Sequence, residues 1–138
     1  HWLPPVEAPK RFSTWFFLTE TPEGKVTIDN GEITDHAWFT PNEALIAAHA
    51  KKIEILPPTW ITLFDLSQFL EVNTAIESVR SRGPRAYATK IVPTSEGLAA
   101  VWEGDSEYSV ESELQNPHHH RLVMTDNVWK FQLGIVSD

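Results

Sequence analysis

The chain has 138 residues, a length that fits one compact domain better than two. Its 41% hydrophobic and 22% charged residues, with six Trp and seven Phe, predict a globular protein with a packed core and exclude an intrinsically disordered chain. The formal net charge of −8, and the lack of any run of Lys or Arg, exclude direct binding to nucleic acid.

Cysteine is absent, which excludes disulfides, thiolate metal sites and cysteine nucleophiles and fits a cytoplasmic protein. No apolar stretch approaches the roughly 20 residues of a transmembrane helix, so we expect no membrane partner. The first residues, HWLPP, resemble neither a signal peptide nor an initiator sequence. We therefore expect the chain to begin within a longer protein and to form one domain that is part of a larger one.

The first elements predicted are three strands. Residues 11–20, RFSTWFFLTE, are apolar on both alternate faces, a pattern typical of a central strand buried on both sides. A turn at residues 21–25 predicts a second strand that starts at residues 26–28. The turn signal Asn30-Gly31 predicts a third strand from about residue 32 to 39.

Three helices are predicted next. Residues 40–43, Thr-Pro-Asn-Glu, predict a capping box that opens a helix ending near residues 51–52, and this gives Glu43 a structural role. Thr59 is predicted to cap a second helix that ends at about Leu70. A third helix is predicted over residues 74–82, before Gly83-Pro84.

A period of two then returns over residues 86–92, 98–102, 120–124 and 128–133, which we interpret as four strands. Strands followed by helices and more strands predict an α+β domain. The sequence His118-His119-His120 lies at the start of one strand, after a loop indicated by Asn116-Pro117. Adjacent strand residues point to opposite faces, so a structural role is predicted for the three histidines in preference to a metal site.

Several stretches, taken in order, resemble the branch of Nudix hydrolases that includes the CoA diphosphatases. Residues 11–18, RFSTWFFL, resemble the R-F-D-T-x-F-F strand of that branch. Residues 31–45, GEITDHAWFTPNEAL, resemble the segment G-E-x-x-D-x-x-W-x-x-P-x-E-A-L after the catalytic helix. Residues 56–59, LPPT, and the later stretches 104–108 and 119–122 resemble the rest of the branch. The resemblance implies a partial Nudix-like α/β/α sandwich with a mixed sheet and about three helices.

The Nudix box, G-x5-E-x7-R-E-x-x-E-E, is missing from the chain: no Arg is followed by Glu, and no two Glu are adjacent. In the family, the box holds Mg²⁺ or Mn²⁺ at a diphosphate, where the metal activates water. The resemblance therefore implies that the parent enzyme uses Mg²⁺ or Mn²⁺ and that the chain alone binds neither. It also implies an N-terminal Nudix-box segment, upstream of Arg11, as the natural partner.

The resemblance also implies the site residues. Glu32 is the candidate catalytic residue, because several Nudix enzymes place an acid near the start of this strand to assist the metal or the attacking water. Arg11, Trp15, Phe17 and Trp38 are candidates for binding a nucleotide-derivative substrate. The structural alternatives are a polar strand-edge residue for Glu32 and core packing for the aromatic side chains.

The main hypothesis is the C-terminal portion of a Nudix-type pyrophosphohydrolase that cleaves a nucleoside diphosphate linked to another, CoA-like moiety. The chain contributes sheet and substrate pocket and is inactive alone. A second hypothesis is a Nudix-like module that binds a ligand or partner without hydrolysis, and a third is an unrelated α+β domain. Because an apolar strand without its neighbours is prone to pairing, we also expect a companion N-terminal piece, self-association or strand swapping.

Overall fold

The computed structural model describes residues 1–29, 31–33, 35–108, 118–126 and 128–135. The elements in chain order are β1 (Trp2–Leu3), α1 (Pro41–His49), α2 (Pro57–Leu66), α3 (Val72–Arg82), β2 (Tyr87–Ala88), β3 (Lys90–Thr94), β4 (Gly97–Val101), β5 (His118–Met124) and β6 (Trp129–Ile135). Strands β1 and β2 pair in parallel. Strands β3, β4, β5 and β6 pair antiparallel, in that order, and form one four-stranded sheet. The predicted α+β class with three helices is confirmed.

The four-stranded sheet is a meander in which each strand pairs with the next along the chain. The longest ladder joins β5 and β6, with His118 opposite Ile135 and Met124 opposite Trp129. The β3–β4 hairpin closes at Gly97, whose φ of +148° and close approach to the Met124 carbonyl, 2.7 Å from a Cβ built there, leave no room for a side chain. The strands predicted over residues 98–102, 120–124 and 128–133 are confirmed, with small shifts in their ends. The single strand predicted over residues 86–92 is wrong as drawn, because this range is divided between β2, which pairs with β1, and β3, which pairs with β4.

The larger of two core clusters lies on one face of this sheet, and a smaller one, of Ala99, Val101 and Val123, lies on the other. Trp2 from β1 stacks on Tyr87 from β2 at 4.0 Å between ring centroids, and Trp102 meets both rings edge-on. Ile61 from α2 packs into the same cluster. The indole N–H of Trp102 donates to the Thr89 hydroxyl at 3.0 Å, which satisfies the polar end of this buried side chain.

The capping box of α1 is confirmed. The backbone N–H of Glu43 donates to the Thr40 hydroxyl at 3.3 Å, and the N–H of Thr40 donates to the Glu43 carboxylate at 2.8 Å. The helix ends at His49, just before the predicted residues 51–52, where the N–H groups of Lys51 and Lys52 donate to the carbonyls of Ala48 and Ala47.

The prediction for the second helix is wrong at both ends. The N-cap of α2 is Leu56, which makes no side-chain cap, and Thr59 lies inside the helix rather than before it. Pro57 and Pro58 occupy the first turn, where a missing N–H costs nothing because these donors have no partner inside the helix. The helix ends at Leu66, before the predicted Leu70. The third helix, α3, is confirmed and starts two residues earlier than predicted.

The three strands predicted over residues 11–39 are wrong for the described residues of that range, none of which belongs to a named strand. Residues 11–18, the aromatic segment, make a single antiparallel bridge, between Thr14 and Trp2. Their side chains are exposed, and Phe17 is 86% exposed. The sequence pattern of a doubly buried strand is present, but none of the described strands forms a continuous set of backbone hydrogen bonds with this segment.

No helix in the described part of the chain has the length and hydropathy needed to cross a membrane.

Candidate functional site

The predicted site residues lie on the exposed N-terminal third of the chain. Glu32 lies within a bend that is organised by Asp29, whose carboxylate accepts the backbone N–H groups of Gly31 at 3.1 Å and Ile33 at 3.0 Å. The Ile33 and Gly31 amides hold the pKa of the Asp29 carboxyl below its usual range. Glu32 itself is exposed. Its catalytic role stays a prediction.

The aromatic segment holds three of the other predicted residues. The Arg11 guanidinium donates to the Pro4 carbonyl at 3.0 Å. Trp15 lies 4.7 Å from the His1 ring and 6.4 Å from Phe17, measured between ring centroids. Trp38 is exposed as well. Within the described residues, no hydrogen bond or ring contact joins Glu32 or Trp38 to the other three, so the substrate-binding role of this set stays a prediction.

A buried ion pair lies in the second half of the chain, on the sheet face opposite the larger core cluster. Asp105 is 2% exposed and Arg121, on β5, is 5% exposed. The Arg121 guanidinium donates two hydrogen bonds to the Asp105 carboxylate, one of them from Nε at 2.7 Å. The same carboxylate accepts the backbone N–H groups of Glu107 and His120, each at 2.9 Å. The pair ties the loop after β4 to strand β5.

The protonation of this pair is set by competing effects. Burial alone raises the pKa of Asp105, but the hydrogen bonds from Arg121 and from the His120 and Glu107 amides outweigh it and lower the pKa overall. Burial, and then the nearby Arg121 charge, lower the pKa of His119. Asp105 is therefore a carboxylate and His119 a neutral imidazole at pH 7.

A groove of about 490 Å³, the polar groove, opens beside this pair. Its polar side chains carry one guanidinium, one imidazole, one amide, two hydroxyls and two exposed carboxylates, but the guanidinium is already engaged by Asp105 and by Glu107 at 3.3 Å. Among the described residues no buried side-chain nitrogen or oxygen lacks a hydrogen-bond partner. The polar groove thus holds no orphaned group that points to a ligand. It is lined by Pro93, Thr94, Ser95, Glu96, Glu107, His119, Arg121, Val123 and Gln132.

The histidines of β5 have structural partners. The His118 ring contacts the Gly104 carbonyl at 3.1 Å, and the His120 ring contacts the Glu103 carbonyl at 2.7 Å. His120 also packs 5.5 Å from the Trp102 ring. These contacts agree with the predicted structural role for His118 and His120, which fix the loop after β4. For His119 that role stays a prediction. The predicted loop entry at Asn116-Pro117 lies outside the described residues.

A second groove, the apolar groove, has a volume of about 650 Å³ and runs between α1, the α1–α2 loop, the start of α2 and the β5–β6 turn. Ile46 on α1 and Leu56 before α2 are 66% and 72% exposed at this groove. Its deeper wall holds Trp60 and Trp129, both packed against the core cluster. Charged side chains also line it, among them Lys51, Glu54 and Asp126.

The described residues do not bring together the ligands of the divalent metal that the resemblance implies for the parent enzyme. They contain no group of three or more His, Asp or Glu side chains placed to hold one ion. Glu32, the predicted acid, is exposed and Asp105 is engaged by Arg121. The described residues therefore do not form a site for Mg²⁺ or Mn²⁺ by themselves.

Sequence reasoning missed the buried pair and both grooves. It assigned no role to Asp105 or to Arg121. A usable signal was present: Arg121 sits in the period-two apolar strand 120–124, where a charge is buried only if it has a partner. The identity of that partner, 16 residues away, was not visible in the sequence.

No family model matches the chain, and no solved structure matches it. The chain is 30% identical over 122 residues to the acyl-coenzyme A diphosphatase NUDT19 of Xenopus laevis. The alignment covers 83% of this chain and 32% of that relative, so the chain spans about a third of the relative's length. The similarity extends over most of the chain and supports a relationship to the Nudix coenzyme A diphosphatases, in agreement with the resemblance of the sequence motifs.

Proposed function

We propose that the chain is the C-terminal portion of a Nudix-type pyrophosphohydrolase that splits the diphosphate of a coenzyme A-like nucleotide derivative, and that it is inactive by itself. The observation that carries this proposal is the 30% identity to an acyl-coenzyme A diphosphatase over 122 residues. In this proposal, the chain contributes strands, helices and walls of the substrate pocket to the enzyme. The metal-binding glutamates belong to a further stretch of polypeptide.

The net charge of the chain supports a metal site outside it. A diphosphate carries several negative charges, and the chain has a formal net charge of −8, so attraction to the substrate requires cations that the chain does not supply in excess. The sequence has neither an Arg-Glu pair nor adjacent Glu residues, both of which occur in the Nudix box, whose Glu side chains hold Mg²⁺ or Mn²⁺. We propose that these ions bind in the parent protein, outside this chain.

The reaction is hydrolysis. The oxygen of water bonds to one phosphorus of the diphosphate while the bond from that phosphorus to the bridging oxygen breaks, and two phosphate monoesters leave. From coenzyme A these products are adenosine 3′,5′-bisphosphate and phosphopantetheine. Within this chain we propose Glu32 as the acid that assists the attacking water, and Arg11, Trp15, Phe17 and Trp38 as substrate contacts.

The test compares this chain with the longer protein that includes its upstream segment. Both are incubated with coenzyme A, an acyl-coenzyme A and a nucleotide sugar, with and without Mg²⁺, and the release of adenosine 3′,5′-bisphosphate or nucleoside monophosphate is measured by chromatography. We expect turnover of the coenzyme A compounds by the longer protein with Mg²⁺ and none by the 138-residue chain. Hydrolysis by the chain alone would show the proposal to be wrong.

The second candidate is a Nudix-like module that binds a ligand or partner without hydrolysis, and the missing box favours it. The same experiment separates the two, because such a module gives no turnover in either form while retaining its ligand. We further propose that the aromatic segment is covered in the parent by the upstream segment, or by a second copy where that segment is absent. Its exposed Phe and Trp side chains support this proposal.

A further inference from the structure

The apolar groove is the least explained surface of the described chain. Large exposed apolar side chains scattered singly over a surface are common, but Ile46 and Leu56 line one concave site together with the tryptophans Trp60 and Trp129. Its volume of about 650 Å³ lies within the range of roughly 300–1,000 Å³ typical of small-molecule sites. A mostly apolar wall with a few polar groups at its edge is also typical of such sites.

We propose that the apolar groove binds the acyl chain of an acyl thioester of coenzyme A. The inference rests on the proposed function, which supplies the coenzyme A part, and it adds the location of the acyl part. The name of the similar Xenopus laevis protein, an acyl-coenzyme A diphosphatase, is in accord with an acyl chain on the substrate.

The charges around the groove favour a thioester over a free fatty acid. Glu54 and Asp126 both line the groove and are exposed, so the carboxylate of a fatty acid would face like charges. The acyl group of a thioester is uncharged and meets no such repulsion. Lys51 also lines the groove and Lys52 follows it, which places two cations near one wall for the anionic nucleotide part.

The first experiment is calorimetric titration of the 138-residue chain with coenzyme A and with its hexanoyl, octanoyl and decanoyl thioesters. Transfer of one methylene from water to the groove increases affinity by up to about fourfold, so each step of two methylenes gives up to about 16-fold. We expect affinity to increase with chain length and coenzyme A itself to bind most weakly. Equal affinity for coenzyme A and its decanoyl thioester would overturn the inference.

The second experiment uses matched, uncharged substitutions. We expect Ile46→Gln and Leu56→Gln each to lower the affinity for decanoyl-coenzyme A by about tenfold and to leave coenzyme A binding unchanged. Leu70→Gln is the control, because Leu70 is fully exposed, at 100%, and does not line the groove. All three side chains are exposed, so the variants should fold, which far-ultraviolet circular dichroism checks. An equal loss in the Leu70→Gln variant would overturn the inference.

Failure here and failure of the proposed function are distinguishable. If the longer protein hydrolyses acyl-coenzyme A but the groove variants keep the same KM for every chain length, the groove assignment is wrong and the proposed function stands. If the chain shows groove-dependent binding that increases with chain length and the longer protein gives no hydrolysis, the enzymatic proposal is wrong and acyl binding stands. If a second copy fills the groove, the groove variants lower the mass measured by light scattering and leave thioester affinity unchanged, which overturns the inference.

Discussion

At the scale of single residues, the pair of Asp105 and Arg121 shows how a buried charge is kept. Removing both ions from water is costly, and their attraction offsets that cost only if the remaining donors and acceptors are satisfied. The Asp105 carboxylate meets this condition, because it accepts from the guanidinium and from the Glu107 and His120 amides. The pair therefore fixes the loop after β4 more than it adds net stability.

We expect Asp105→Asn to lower the free energy of unfolding by about 3–5 kcal/mol, because the buried Arg121 charge then keeps only the exposed Glu107 carboxylate as its ionic partner. The matched control is Asp65→Asn. Asp65 pairs with Arg85 at 2.8 Å, but in an exposed setting where such pairs contribute about 0–1 kcal/mol. Urea unfolding of the three proteins at pH 7 measures the difference. Losses of equal size in the two variants would contradict the assignment of Asp105.

The pH dependence of the same experiment follows from the lowered pKa of Asp105. A carboxyl with a lowered pKa in the folded state stabilises the protein above its unfolded pKa of about 3.9, and that stabilisation is lost as pH falls toward the folded value. The difference between the parent chain and Asp105→Asn should therefore be constant at pH 6–7 and shrink below about pH 4. A difference that stays constant down to pH 2 would mean that Asp105 is not held as a carboxylate.

The role of a single residue can be predicted from the sequence when its hydrogen-bond partner lies nearby along the chain. The Thr40 and Glu43 contacts close within one helical turn, so their identity is visible in the sequence alone. The backbone and hydroxyl of Thr40 also hold the pKa of the Glu43 carboxyl below its usual range. Asp105 and Arg121 meet only when strand β5 pairs with β4, and nothing in the sequence indicates that pairing residue by residue.

At the scale of secondary-structure elements, α1 and α2 begin in different ways. Thr40 caps α1 with its hydroxyl, whereas α2 begins with two prolines that have no N–H to satisfy. The Thr59 hydroxyl, which the sequence places in a plausible capping context, falls inside α2 because the prolines already form the first turn. A start at Pro57-Pro58 and a cap at Thr59, two residues after Pro57, predict the same helix with different N-terminal boundaries.

We expect Thr40→Ala to destabilise the chain by about 1 kcal/mol, the usual effect of removing an N-cap hydroxyl. Thr59→Ala should have a smaller effect, because Thr59 caps nothing in the structure and Ala is the better helix former. Thermal unfolding followed by circular dichroism, with hydrogen exchange of the α1 amides, measures both effects. A larger loss for Thr59→Ala than for Thr40→Ala would restore the boundary predicted from the sequence.

Strand prediction succeeded where the pairing strand is the next one along the chain, and it failed where the pairing strand is distant or absent from the described residues. The four strands β3 to β6 follow each other along the chain and pair in that order, so a local pattern of period two is sufficient to find them. Strand β1 has two residues and pairs with β2 more than 80 residues away, which no local pattern reveals. Residues 11–20 have the sequence pattern of a strand, but a strand also requires a second strand to pair with, which a local pattern does not reveal.

At the scale of the whole molecule, the core and the most aromatic stretch of sequence do not coincide. The core cluster forms around Trp2, Tyr87 and Trp102, while the aromatic segment stays exposed beside it. Each large aromatic side chain that leaves water contributes roughly 1.5–3 kcal/mol, so a surface with several of them is strongly driven to be covered. The proposed upstream segment would cover these side chains within one polypeptide, and a second copy of the chain would cover them in a dimer.

The last prediction is that the chain alone self-associates through the aromatic segment. Its mean mass, measured by light scattering, should increase with protein concentration, because an exposed apolar strand-like segment without a neighbour offers both backbone and side chains for pairing. Phe17→Ser should lower the mass, since Phe17, at 86%, is the most exposed large apolar side chain of the segment. Leu70→Ser removes a side chain that is also highly exposed, outside the segment, and should leave the mass unchanged. A chain that stays monomeric at every concentration, before and after the Phe17 substitution, would show that the exposed aromatic side chains do not drive association and would contradict this prediction.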